Sequence, residues 1–503
     1  MKRIIKYIPL LCLLFTINSC DSFLDRDPID ELGAGAFYKN TEEVNQGVLA
    51  CYNGLQTTMR YEWYLTELRS DNSRHYANGS TATSSKDIYA MDWFKVETTH
   101  PVNKSYWEAV YHNIANCNTV LQYLDVVDNA ELKKQFEGEA IFLRAYHYFN
   151  LVRLYGPLFV VTERISTDQA KMAERTSVED VYKFIEADLL NAISKLPDSY
   201  TDDQKGRIDI WGAKTLLAKV YLTLNRLSEA KTLLEEVRDN NKGYGLLTTS
   251  YKDVFSTTNE MNKEILFAVR YKSGGYGLGS RFANAFAPAN SFDFIITAGG
   301  DGDNCPTNDL IKSYDPLDTR KSVTLAETWS NKGTTVYIAY PTKYLSQVST
   351  KYDAENDWPV LRFADVLLML GEIENELSGP SAGLPYLNQI RTRAKLSTLT
   401  TNEVPNKNIF RTAMEKERRW EFALENQRYF DLLRTNRIIT VMENHFETEI
   451  YVNANSGSLS GYYTEPSYES YLQKRQVDEW QLLLPIPFSV ISVAPNATQN
   501  PGY

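Results

Sequence analysis

Histidine and cysteine are both scarce, five of each in 503 residues. His75, His100, His112, His147 and His445 include no HExxH pair, so a zinc-peptidase helix is not signalled. No GxSxG occurs either, which removes the serine-hydrolase elbow. The cysteines form no CxxC pair and indicate neither a zinc site nor a disulfide framework; Cys51, Cys117 and Cys305 read as small apolar core residues. Positive charge is in deficit, 53 Lys and Arg against 64 Asp and Glu, a net charge of -11. Such a surface repels phosphate backbones and argues against nucleic acid as a partner. No stretch has the roughly 18 uncharged apolar residues of a membrane-spanning helix.

What is present begins at the amino terminus. Lys2, Arg3 and Lys6 precede an apolar run from Tyr7 to Ile17. At about 1.5 Å per residue this run covers roughly 16 Å of helix, half a bilayer core, and reads as a secretion signal over residues 1–19. It ends in Ile17-Asn18-Ser19-Cys20, the lipobox pattern in which the cysteine is acylated and becomes the mature amino terminus. The sequence therefore predicts an exported chain anchored to a membrane by lipid on Cys20. Its mature form of 484 residues carries a net charge of -14.

Apolar residues recur at helical spacing over 41–59, 105–127, 131–155, 177–196, 209–225 and 228–239. Within 136–154, Phe136, Ala140, Leu143, His147, Leu151 and Leu154 form one face, and Phe142, Ala145, Phe149 and Val152 form another. A helix apolar on two sides lies between neighbours. Leu217, Ala218, Tyr221, Ala230 and Leu234 match the offsets of a tetratricopeptide hairpin, with the turn at Asn225-Arg226-Leu227. Ala145 with Tyr148, and Leu370-Gly371 with Leu387, begin further partial copies. Between 241 and 360 Gly, Ser, Asn, Asp and aromatic residues dominate, with short β-like runs such as 264–269; long loops of this kind usually carry function. Helices resume over 361–378, 383–395, 407–427 and 430–437. The expected fold is mostly α, a TPR-like helical-hairpin superhelix with a loop-rich, aromatic-rich elaboration and minor β. The expected division is 20–240 and 241–503, the latter containing the 241–360 insertion.

Glu417, Arg418, Glu421 and Glu425 fall where side chains pair along one helix, and Asp431 and Arg434 extend that network; the reading is structural. Gly274-Gly275-Tyr276-Gly277-Leu278-Gly279 has no strand leading into it and no helix after it, so it reads as a loop and not a phosphate cradle. Asp301-Gly302-Asp303-Asn304 lacks the spaced carboxylates of an EF-hand, and no metal or cofactor is expected.

Four ordered segments carry a resemblance. They are Cys20-Asp21-Ser22-Phe23-Leu24-Asp25, then 140–151 with Leu154-Tyr155-Gly156-Pro157, then 361–369 with 386–394, 417–425 and 428–434, and finally Leu483-Leu484-Pro485-Ile486-Pro487 with Gln499-Asn500-Pro501-Gly502-Tyr503. Together they resemble the SusD/RagB family of outer-membrane nutrient-binding lipoproteins. Gly156-Pro157-Leu158 is shorter than the family's usual run, and Phe363 stands where Tyr is common. The resemblance implies a cell-surface, outer-membrane lipoprotein that binds oligosaccharide, serves as a lid on a TonB-dependent β-barrel transporter, and is not an enzyme. Peptide capture within the same family, or a helical-repeat adaptor for another protein, are the alternatives.

The family's ligand contacts come from variable loops, so no site residue carries over. Sugars present an apolar face and a hydroxyl rim, which flat rings and planar polar groups recognise. Two stretches have that composition: Trp63, Asp71, Asn72, Arg74 and Trp93 in the first, Tyr276, Trp329 and Tyr337 with Tyr340 in the second. Trp93 and Arg74 are the first choices, because they flank a polar loop.

Overall fold

The structure, a computed structural model, describes residues 37–75, 83–163, 165–451 and 476–503. The signal, Cys20 and the motif through Asp25 lie outside the described residues. Helix α1 (Thr41–Thr66) starts where Asn40 accepts a hydrogen bond from the Glu43 amide, with Glu42 and Glu43 at the positive end of the helix dipole. It buries Val44, Val48, Cys51, Leu55 and Met59, a stripe at helical spacing. Helix α2 (Pro101–Gln122) opens with proline at its first position, where no amide partner is lost. Helix α3 (Ala130–Tyr155) is capped by Asn129 and ends at Gly156, whose φ of 72° a side chain would strain. Nearly every residue of α3 from Phe136 onward is buried, because α1, α2 and α4 (Val178–Ile193) all pack on it. The two apolar faces meet their neighbours as expected. Arg144 clamps α3 to α4 through two bonds of 2.9 Å to Asp188.

The hairpin of α5 (Ile210–Thr223) and α6 (Leu227–Arg238) turns at Asn225, φ 59°, and buries Leu217, Ala218, Ala230 and Leu234 completely. Helix α7 (Phe363–Ser378) packs on α6 and on α8 (Pro380–Arg393). At the second crossing a Cβ on Gly383 would stand 2.5 Å from the Gly371 carbonyl, so two glycines set the helix separation. Helices α9 (Lys407–Glu421) and α10 (Arg428–Arg434) complete the scaffold. The elaboration is tied at its base: strand Ile265–Val269 pairs antiparallel with Trp358–Arg362, so the irregular chain between them leaves and returns at one place.

One sequence expectation needs correction. The network around Glu417 does not run along a helix. Helix α9 stops at Glu421, and Leu424 and Asn426 take positive φ values that no continuing helix permits. The carboxylates turn to other elements instead. Glu421 meets Arg320, Arg362 and Arg393; Glu417 meets Arg320 and Arg391; Glu425 meets Lys343 and Arg362. Arg418 joins Asp365 to Asp431, and Arg434 joins Asp431 to Glu372. This knot fastens the elaboration to the scaffold.

Candidate functional site

The sequence candidates separate cleanly by exposure. Asp71, Asn72 and Arg74 do come together, but inside the protein. Asp71 accepts from Arg428 at 2.7 and 2.9 Å and pairs with Arg419 at 3.0 Å. Burial alone would raise its carboxyl; the two guanidinium groups hold it well below the usual range instead. Asn72 accepts from Arg419 at 2.8 Å, and Arg74 pairs with Glu449 at 3.2 Å. The segment is further stitched by pairing of Ser73 and Arg74 with Pro306 and Cys305. These three groups are structural in this fold.

Trp63 and Trp93 are core residues. Trp63 packs edge-on against Phe286 at 5.3 Å, and Trp93 is only 4% exposed. Trp329 and Tyr340 are buried as well. Their rings are occupied by protein, so none offers a face to a ligand.

Tyr276 and Tyr337 are different: 72% and 84% of each is exposed. Tyr276 sits on the glycine loop, held by amides of Gly274 and Gly275 donating to Asp353 at 2.9 Å. Tyr337 follows the small hairpin of Trp329–Asn331 and Thr334–Val336, in which Val336 faces Trp329. Sequence reasoning missed two neighbours, Phe292 and Phe294, which are 62% and 44% exposed. Phe294 lies 6.4 Å from the buried Trp329, whose strand partner Val336 directly precedes Tyr337, and Phe292 is two residues from Phe294 in the chain. The available signal was Ser291-Phe292-Asp293-Phe294, two rings one residue apart within a Pro, Asn and Gly context. Asn290, Asp293, Lys332 and Thr335, close to these rings in the chain, are exposed as well.

The loop under Phe292 is held from within. Asn284 donates to the carbonyls of Thr297 and Gly299 at 3.0 and 2.8 Å, and Asp293 accepts from the Ala298 amide at 2.8 Å. Asp301 is engaged by Lys351 at 2.8 Å and by the Tyr352 hydroxyl at 2.7 Å. Asp303 accepts from Tyr64 at 3.5 Å; burial and the neighbouring charge of Asp301 push its carboxyl up to about 7. Burial pushes the nearby His75 down to about 4. Phe292 itself adopts φ 46°, a left-handed conformation that costs a bulky residue energy.

Chemically, this surface offers flat π faces with a polar surround: an adsorbing surface carried on a helical-hairpin scaffold. Comparison with known proteins bears on the scaffold. Residues 22–222 match a family model described as "Starch-binding associating with outer membrane", and residues 319–503 match one described as "SusD family". The chain belongs to the SusD/RagB family. SusD-like protein P25 of Formosa agariphila is 24% identical over 100% of this chain and 99% of its own length. A SusD-like protein of Bacteroides ovatus is 25% identical over 89% of this chain and 85% of its own. Among solved structures, a "Laminarin binding SusD-like protein" superposes with a TM-score of 0.75 at 24% identity, covering 93% of this chain and 100% of that one. Surface glycan-binding protein A from Bacteroides thetaiotaomicron, in complex with laminarihexaose, gives 0.73 at 19% identity, covering 91% and 99%.

Proposed function

We propose that this chain is a non-catalytic, cell-surface lipoprotein that captures oligosaccharide on the aromatic region of Phe292, Phe294 and Tyr337, with Tyr276 nearby in sequence on the adjoining elaboration. Captured glycan is then passed to a TonB-dependent β-barrel transporter of the outer membrane, to which Cys20 tethers the protein. The observation that carries this reading is Phe292. Its ring is mostly in water and its backbone is strained, so folding gains from it neither burial nor conformational ease. A strained, exposed ring on a firmly held loop is what a stacking contact with a sugar requires. The laminarin-binding and laminarihexaose-bound relatives support the substrate class.

The test is binding of the mature chain, produced without residues 1–20, to a panel of polysaccharides that includes β-glucans. Saturable binding that Tyr337→Ala and Phe292→Gly weaken, with unchanged melting, is the expected outcome. No binding to any glycan, or binding indifferent to both substitutions, refutes the assignment. Recovery of a barrel protein with the lipidated chain tests the transfer step separately.

A further inference from the structure

Of the described arginines, only Arg60 and Arg281 have a guanidinium group that makes neither a hydrogen bond nor an ion pair with another described residue. Arg281 places its Cζ 4.0 Å from the centre of the Tyr352 ring. A guanidinium held over an aromatic face keeps its N–H edge for another partner. Tyr352 adopts φ 65°, a left-handed conformation that costs a bulky residue energy, and its amide donates to Asn284 Oδ1 at 2.9 Å. The same Asn284 holds the carbonyls of Thr297 and Gly299, and a Cβ on Gly299 would stand 3.4 Å from the Phe292 backbone. One residue on, Asp353 accepts the Gly274 and Gly275 amides beside Tyr276. Tyr352 is therefore fastened to both loops that bear exposed rings, and Arg281 is held there with it. Arg60, exposed on α1, acts on the same place from the scaffold. Burial and Asp303 raise the Tyr64 hydroxyl, and Arg281 and Arg60 both oppose that rise.

The neighbouring carboxylates are engaged elsewhere. Asp301 is taken by Lys351 at 2.8 Å and by the Tyr352 hydroxyl at 2.7 Å. Asp303 is mostly buried and faces Tyr64 and His75; raised by burial to about 7, its carboxyl carries little charge below that pH. Asp293 and Asp353 accept from loop amides, so none of the four is bonded to either free arginine.

We propose that this region selects an anionic glycan, whose carboxylate or sulfate ester accepts the free guanidinium edge of Arg281, with Arg60 in support. The inference rests on the glycan reading of the same loops and adds the charge of the ligand. Carboxylate and sulfate groups present paired oxygens, which a guanidinium holds by two parallel charge-assisted hydrogen bonds. A neutral sugar offers Arg281 only hydroxyl acceptors, whose bonds are about half as strong. The net charge of -11 repels anionic chains at long range, so a preference for them has to arise from a local cation.

The experiment uses the mature chain and two matched sets of probes: laminarin with chemically sulfated laminarin, and an oligogalacturonate with its carboxyl-reduced counterpart. Affinities are read by titration calorimetry at low ionic strength and at about 0.15 M salt, where the Debye length is near 8 Å. In at least one set the charged member binds about tenfold tighter than the neutral one, the worth of one charge-assisted contact, and less so at the higher salt. Which set shows the larger ratio tells sulfate from carboxylate. Arg281→Gln brings the ratio close to unity, Arg281→Lys keeps part of it, and Arg60→Gln, at an exposed position, lowers it severalfold, all with unchanged melting. A purely structural role for Arg281 would weaken charged and neutral members alike. Equal binding of charged and neutral members in both sets, or a ratio that survives Arg281→Gln, overturns the proposal. If neutral binding then still responds to Phe292→Gly, glycan capture stands without the charge preference; silence from every probe overturns both.

Discussion

Replacing Glu421 by Gln removes one negative charge from the ionic knot and almost no volume. Glu421 accepts from Arg362 at 2.9 Å and from Arg320 at 3.0 Å, and it also pairs with Arg393. All four side chains are essentially sealed from solvent. Glu264 at 3.2 Å remains for Arg393, Glu264 and Glu425 remain for Arg362, and Asp318 and Glu417 remain for Arg320. The variant therefore keeps most contacts, but with Lys343 and Arg391 also drawing on Glu425 and Glu417 it leaves five cationic groups to four carboxylates. Removing one partner of such an array costs about 3–5 kcal/mol, since the charge left behind cannot be rehydrated. Against a total stability of about 5–15 kcal/mol the loss is large but compatible with folding. It shows in urea as a lower midpoint with an unchanged slope, because the surface exposed on unfolding is the same. The pH dependence is a second signature. Burial alone would raise the Glu421 carboxyl; Arg393, Arg362 and Arg320 hold it far below its ordinary value of 4.5. A depressed carboxyl contributes stability that is complete above the unfolded value and disappears as pH falls towards the folded one. The gap between native and variant proteins accordingly narrows below about pH 4.5. Glu229→Gln, in an exposed pair with Arg226, serves as the control and changes stability within error. The reasoning fails if Glu421→Gln matches that control, or if its deficit is constant from neutral pH to about pH 3.5.

Three further outcomes follow from single contacts. Phe292→Gly weakens glycan binding about tenfold, the worth of one stacking ring, while melting temperature holds or rises because glycine accepts φ 46° without strain. Titration calorimetry with a bound oligosaccharide and a thermal scan check both halves. Asp303→Asn flattens stability against pH: a carboxyl raised to about 7 in the fold from its ordinary 3.8 makes stability fall as pH rises between those values. The native protein thus loses about 2 kcal/mol between pH 5.5 and 7.5 that the variant retains, measured by urea unfolding at both pH values. Gly383→Ala forces a Cβ to within 2.5 Å of the Gly371 carbonyl and 2.6 Å of the Phe410 ring, so α7 and α8 must part. The cost is about 1–3 kcal/mol in the same assay.

Much of the scaffold is legible because helices bury stripes at a fixed period. The two faces of α3, the Ala218 and Ala230 hairpin and the Leu370-Gly371 start each correspond to an observed packing surface. The end of α9 is not legible, since Phe422-Ala423-Leu424-Glu425 contains neither glycine nor proline and reads as helix; it breaks because Glu425 is drawn to Lys343 and Arg362, each more than 60 positions away. The same limitation governs the site. Asp71-Asn72-Ser73-Arg74 looks like a solvated polar loop until Arg419 and Arg428 arrive from some 350 positions later. A tryptophan's ring is equally at home in core or cleft, so Trp63 and Trp93 announce nothing about exposure; Tyr276 stands between two glycines that cannot cover it, whereas Tyr337, between Val336 and Ile338, gives no such signal.

The long reach of α1 adds what no local pattern contains. Its 26 residues span about 39 Å at 1.5 Å per residue. At one end Tyr38 stacks on Tyr123 at 4.8 Å, where the described chain begins. At the other, Trp63 supports Phe286 at 5.3 Å and Tyr64 meets Asp303, the two residues that bracket the loop bearing Phe292. Entry point and aromatic loop are thus held at opposite ends of one rigid rod.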